Sequence, residues 1–232
     1  MKLMRHRAVK IGLIAAGTTL AVTASVMAAS PEFFKGGVKL AAGQAVEYQS
    51  KNANSIINNL GVVGAKITCK GGSANGKTNG PTEIQKLVVT FTGCENALTQ
   101  SCNSPTRGAG EIRTESLKGQ LGYLVKAGGK PAGLSYEPES NVTRVFLEYK
   151  CAPLLGFTKV TGLALGEVPK TPKQRTWEAV FAPNVAGTAE KWVQFEEKGG
   201  LFELKAGCNT VLLTLTEVMT WEGAEELEIK GS

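Results

Sequence analysis

The sequence predicts an all-β protein, an antiparallel β-sandwich or barrel of many short strands, preceded by a helical signal peptide. Two observations carry the β assignment. Alternating runs rich in β-branched and aromatic residues recur about every ten residues after position 35, broken by clusters of Gly, Pro, Asn and Lys. Helical periodicity is nearly absent over the same span.

The N-terminus is the exception. Lys2, Arg5, Arg7 and Lys10 form a basic segment, and an apolar run follows from Ile11 to Val22. "TASVMAAS" then supplies small residues, with Val26 and Ala28 at the −3 and −1 positions of a cleavage site. This three-part order marks residues 1–28 as a secretory signal peptide. The competing assignment is an uncleaved anchor helix, because Ile11–Ala29 approaches the roughly 20 residues that span a bilayer. Gly and Thr dilute that run, and it ends in a good small-residue site. No cysteine follows it to carry a lipid anchor. Residues 29–232 are then expected to form a single all-β domain, of a length that suits one large all-β domain or two small ones. "GEVPKTPKQR" (166–175), with two prolines and a cluster of cations, is the best candidate for a subdomain break or a long crossover loop.

In chain order the clearest strands are Ala65–Cys69, Ile84–Gly93, Gly110–Leu117, Gln120–Lys126, Gly133–Glu137 and Arg144–Cys151. Phe157–Gly166, Thr176–Ala182, Lys191–Glu197, Thr210–Val218 and Glu226–Lys230 complete the set. "AGGKP" (Ala127–Pro131) fits a hairpin loop. "KGGSANGKTNGP" (Lys70–Pro81) is expected to be a polar turn, since glycine supplies positive φ without strain. The sequon "NVT" (Asn141–Thr143) also fits a turn, and no internal repeat is present.

Composition excludes whole classes of chemistry. The net charge of +6 includes four cations of residues 1–28, and the remaining Lys and Arg are scattered, so no nucleic-acid partner is expected. The one histidine is His6, and all twenty acidic residues are glutamates. A Ser-His-Asp triad or Cys-His dyad needs an imidazole base that residues 29–232 lack. Zinc through histidine and an Asp-rich calcium loop are excluded in the same way. No phosphate-binding loop or glycine-rich dinucleotide motif is present. No cofactor, metal or catalytic residue is expected. Twenty glutamates always offer some pair, as glycoside hydrolysis needs; Glu111, Glu115, Glu148 and Glu178 lie on expected strands.

The cysteines read as staples. Cys94 and Cys102 flank a polar loop, without the Cys-x-x-Cys spacing of a redox pair or partners for a metal. Successive side chains alternate across a strand, so Ala65, Ile67 and Cys69 share one face, as do Val145, Leu147, Tyr149 and Cys151. Both cysteines end apolar rows. The expected bridges are Cys94–Cys102 and Cys69–Cys151, with Cys208 unpaired. Five cysteines permit many other pairs of bridges.

"VVTFTGCE" (Val88–Glu95), "GEIRTESLKGQLGYLVK" (Gly110–Lys126), "GLSYEPES" (Gly133–Ser140), "FLEYKC" (Phe146–Cys151) and "KVTGLALGEV" (Lys159–Val168) follow one order. In this the chain resembles a family of uncharacterised secreted all-β proteins of soil actinobacteria. The resemblance covers roughly Ile67–Gly166. It implies an all-β fold with a disulfide framework, brings no activity or catalytic residue, and leaves Cys208 outside the family's pattern.

Trp177, Trp192 and Trp221 all lie in the C-terminal third. On strands they usually pack cores; a solvent-facing row would instead stack on sugar rings, and Trp192, in step with Gln194, is expected to face out. Two functions remain. The first is a secreted, non-enzymatic β-domain of the cell envelope or extracellular space, binding a ligand such as a cell-wall or extracellular glycan, or serving structure. The alternative is a glutamate-dependent polysaccharide hydrolase. No stable membrane span is expected after cleavage. Mass spectrometry of the exported protein should find Ala29 as its first residue; a product in the membrane that retains Lys2–Lys10 would refute the cleavage site.

Overall fold

The computed structural model describes residues 30–124, 131–152, 156–169, 173, 175–192, 195, 202–223 and 226–230. The signal peptide expected at 1–28 and most of the hairpin loop expected at Ala127–Pro131 lie outside them. The first strands are β1 (Glu32–Lys35), β2 (Val38–Lys39), β3 (Glu47–Asn52), β4 (Ser55–Asn59), β5 (Lys66–Cys69) and β6 (Gly71–Thr78). Next come β7 (Glu83–Thr92), β8 (Glu95–Asn96), β9 (Glu111–Arg113), β10 (Leu117–Tyr123), β11 (Ala132–Pro138) and β12 (Val145–Tyr149). The last are β13 (Thr158–Gly162), β14 (Ala164–Glu167), β15 (Thr176–Phe181), β16 (Leu204–Ala206), β17 (Asn209–Trp221) and β18 (Leu227–Lys230). Among the described residues there is no helix, and the fold is all-β.

Eight of these strands close an antiparallel barrel in the order β17-β15-β14-β11-β10-β7-β6-β3, with β3 returning to β17. Closure satisfies the edge strands that an open sheet would leave unpaired. The inward row of β17 is Leu215, Glu217, Met219 and Trp221, and that of β15 is Trp177, Ala179 and Phe181; all are buried. An eight-stranded barrel is just wide enough for side chains to fill. Here the fill alternates by size. A Cβ on Gly76 would meet the Tyr48 ring at 2.9 Å, and one on Gly166 would meet the Phe181 ring at 2.9 Å.

That close packing overturns one expectation. The glycine-rich segment expected as a turn at Lys70–Pro81 contains β6, a full barrel strand paired with β3 and β7. Gly76 makes room for the Tyr48 ring and Gly72 for Asn52 and the Thr90 carbonyl, so the signal mistaken for turn chemistry is a packing signal. Phe157–Gly166, expected as one strand, is divided at Leu163 into β13 and β14, which belong to different rings. The candidate break at 166–175 lies partly outside the described residues, and the strands on either side of it, β14 and β15, pair with each other in the barrel.

β17 is 13 residues long and extends beyond the barrel. Its first half pairs with β4 on one side and β16 on the other. From there a second ring continues through β5 and β8 on one flank and β13 and β12 on the other. Single bridges, Glu95 to Ser101 and Asn103 to Lys150, bring the two flanks together. At the opposite end of the barrel the small sheet β18-β1-β2 forms a lid. Its Phe33 stacks on Trp177 with ring centroids 5.6 Å apart and meets Trp221 edge-on.

The disulfides sit where the second ring closes, and their pairing corrects the sequence expectation. The bonds are Cys69–Cys94 and Cys102–Cys151, not Cys94–Cys102 and Cys69–Cys151. Cys208 is unpaired, as expected, and it stands exposed at the β16–β17 hairpin tip. The same four cysteines are bonded, with exchanged partners. Pleat parity correctly put Cys69 on a buried row, but strand order decides which neighbour it meets. β5 lies beside β8, so Cys69 reaches Cys94; the 101–103 segment lies beside β12, so Cys102 reaches Cys151. The bridges span 25 and 49 positions, so each should stabilise the fold by about 3–4 kcal/mol in the chain-entropy model. Non-reducing peptide mapping should recover these two links, and Cys69→Ala and Cys151→Ala should lower the melting temperature by similar amounts.

Candidate functional site

The barrel interior holds an acid. Glu217 is fully buried between strands β15 and β3. Ser50 Oγ donates a hydrogen bond of 2.8 Å to one of its oxygens, and Tyr136 Oη donates one of 2.7 Å to the other. Burial pushes the Glu217 carboxyl up from its ordinary value, and the two hydroxyl donors oppose that rise. Across the seam, Asn52 pairs in register with Glu217, and both polar atoms of its side chain lack a hydrogen-bond partner among the described residues. The cluster is sealed from solvent and acts as a polar pin of the barrel. Sequence parity carried its signal: Glu217 lies in step with Val211, Leu213 and Leu215, an apolar row.

A second buried acid, Glu190, serves the junction between the rings. β17 leaves β16 after Val211 and takes up β15 at Leu215, so the amides between have no strand partner on that side. Glu190 accepts a 2.6 Å hydrogen bond from the Leu213 N–H there. Burial pushes its carboxyl up from 4.5 to about 7, although the Leu213 N–H pulls it down. No sequence pattern marked this residue.

None of the tryptophans offers an exposed platform. Trp177 and Trp221 are buried in the barrel against Phe33. Trp192, expected to face out, is buried with Leu124, Leu165, Phe195 and Phe202 in a small core outside the barrel wall. Its indole N–H donates to Glu167 Oε2 at 3.1 Å. Trp192 departs from the expected alternation because Lys191–Glu197 is not a continuous strand: only single bridges flank Trp192, at Glu190 and Phe195, and residues 193–194 and 196–197 lie outside the described set.

Of the glutamates singled out in the sequence, the structure brings two together. Glu115 and Glu148 line one groove of about 420 Å³, with Arg107 and Arg113 beside them. Glu111 lies at its margin, ion-paired with Arg107 at 3.7 Å. Glu178 is on the exposed face of β15, in another part of the surface.

A broad concavity of about 890 Å³ lies on the outer face of β17, β3 and β6. Register explains its lining. Val218, Lys51 and Ser73 form one outward row across the three strands, and Thr220, Gln49 and Asn75 form the next. Arg175 and Glu222 flank them, and Gln49 Nε2 donates to Glu222 Oε1 at 3.1 Å. The rows present hydrogen-bond donors and acceptors on a rigid wall. No family model, no curated protein and no solved structure matches this chain.

The two buried acids set a pH dependence. With folded-state pKa values above the unfolded ones, the native protein holds these protons more tightly than the unfolded chain. The contribution of Glu190 is complete below pH 4.5 and is lost as pH rises through about 7, and that of Glu217 changes in the same direction. For Glu190 alone it is on the order of 3 kcal/mol. The melting temperature should therefore fall between about pH 5 and about pH 8. Glu190→Gln, which can still accept from Leu213, should flatten that slope. Glu217→Leu should destabilise at every pH by about 1–3 kcal/mol for each stranded hydroxyl.

Proposed function

We propose that this protein is a non-enzymatic binding module of an oxidising, extracytoplasmic compartment, the cell envelope or extracellular space, and a relative of the secreted actinobacterial proteins it resembles. The polar groove on β17, β3 and β6 is the observation that carries the proposal. Its outward rows of Gln49, Asn75, Lys51, Ser73 and Thr220, with Arg175 at the margin, suit a ligand rich in hydroxyl groups, and a cell-wall or extracellular glycan is the class of choice. The interior is filled by Tyr48, Tyr136, Trp177 and Trp221, so binding belongs to the outer wall. Two disulfides fit an oxidising milieu, and the signal-peptide pattern of residues 1–28 agrees.

A glutamate-dependent polysaccharide hydrolase is the second reading, favoured by the shared groove of Glu115 and Glu148. One pair of experiments separates the two. A glycan and cell-wall binding screen on the oxidised protein should give retention without turnover, with Asn75→Ala and Arg175→Ala weakening it roughly tenfold, the worth of one or two lost hydrogen bonds. Release of sugar that disappears in Glu148→Gln would replace the binding module with the hydrolase.

A further inference from the structure

Four connections meet at the end of the second ring that faces away from the lid. They are residues 60–65 between β4 and β5, 97–99 after β8, 156–157 before β13, and the hairpin tip 207–208. Register places them together: Asn58 pairs with Lys66, Ile67 with Asn96, Val211 with Asn59, Ala206 with Asn209, and Tyr149 with Thr158. Among the described residues eight large apolar side chains are exposed, and five of them, Leu60, Val62, Val63, Leu98 and Phe157, stand on these connections. Val63 is 104% exposed and Leu98 70%, so they project as separate tips rather than joining a flat patch.

The tips themselves carry only positive charge; the nearest acids stand further back, with Glu148 in register with Lys159 and Glu95 ion-paired with Lys70 at 3.6 Å. Residues 60–66, 156–159 and 205–209 each contain a lysine and no acid, and residues 97–100 carry no charge. Lys66 and Lys159 are exposed, and Lys150 places its ammonium 4.9 Å from the centre of the Phe157 ring. Lys205 is ion-paired with Glu203 at 3.1 Å. Apolar tips inside a cationic collar complement an interface with acyl chains behind anionic phosphates. They do not complement a second copy docked end to end, because two such collars would repel.

We propose that this end of the molecule docks on an anionic lipid surface, with Val63 and Leu98 entering the acyl boundary and Lys66, Lys150 and Lys159 facing lipid phosphates. The inference is independent of what the outer groove binds. The test is sedimentation of the oxidised, exported protein with phosphatidylcholine vesicles, with and without phosphatidylglycerol. Mass spectrometry first confirms that residues 1–28 are gone, so that they add no lipid binding of their own. Binding should require phosphatidylglycerol and weaken with added salt. Val63→Glu with Leu98→Glu should reduce it by roughly tenfold or more, and Lys66→Glu should reduce it less. Val185→Glu, an equally exposed site on the 183–190 loop, should leave it unchanged, and unaltered melting curves show that each variant folds. No sedimentation with phosphatidylglycerol, equal binding to both vesicle types, or undiminished binding of the double variant would each overturn the proposal. Self-association through this end, seen as a Cys208-linked dimer that ignores vesicles, would overturn it in favour of a second copy.

Discussion

Closure of the barrel at the seam between β3 and β17 is the pairing on which the remaining architecture rests. The two strands lie far apart in the chain, with the Ser50–Glu217 hydrogen bond spanning 167 positions. Until they meet, β3 and β17 each present an edge, and Trp221 lacks the Tyr48 ring it packs on. Once they meet, Glu217 receives Ser50 from across the seam and Tyr136 from across the barrel. A buried acid with specific donors is tolerated only in one register, because a one-residue slip would turn it outward and strand both hydroxyls.

The same strand carries that order to both ends. β17 is about 40 Å long at roughly 3.3 Å per residue, so it forms part of the barrel wall and of the second ring. Where its neighbours change, Glu190 supplies the acceptor that a strand would have supplied to Leu213. At one end the aromatic contacts of Trp177 and Trp221 hold the lid through Phe33. At the other, short strands and single bridges close the second ring, and the two disulfides reinforce that weaker closure.

The outside of the molecule is consequently divided into distinct surfaces. The wall of β17, β3 and β6 is rigid because it contains the closing seam, which gives its outward polar rows a fixed spacing. The loops of the second ring carry apolar tips. The groove of Glu115 and Glu148 lies by the junction of the rings, where Ser104 Oγ donates to the Glu148 carbonyl and accepts from the Arg113 amide. Recognition surfaces on rigid walls and on loop tips are common divisions of labour in β-proteins.

The all-β class, most of the longer strands and the inward rows were legible in the sequence, because alternation is a local property of the pleat. Ile67, Cys69, Leu147 and Tyr149 are buried as their parity required, and Glu217 carried the parity of its apolar row. Partners were not legible. Cys69 and Cys94, Gly76 and the Tyr48 ring, Gly166 and the Phe181 ring, Glu190 and Leu213, and the rows of the outer groove all join residues that are distant in the chain. Their meeting depends on strand order and register. Alternation determines which way a side chain points. Only the closed barrel, by choosing the neighbours of each strand, decides what that side chain touches.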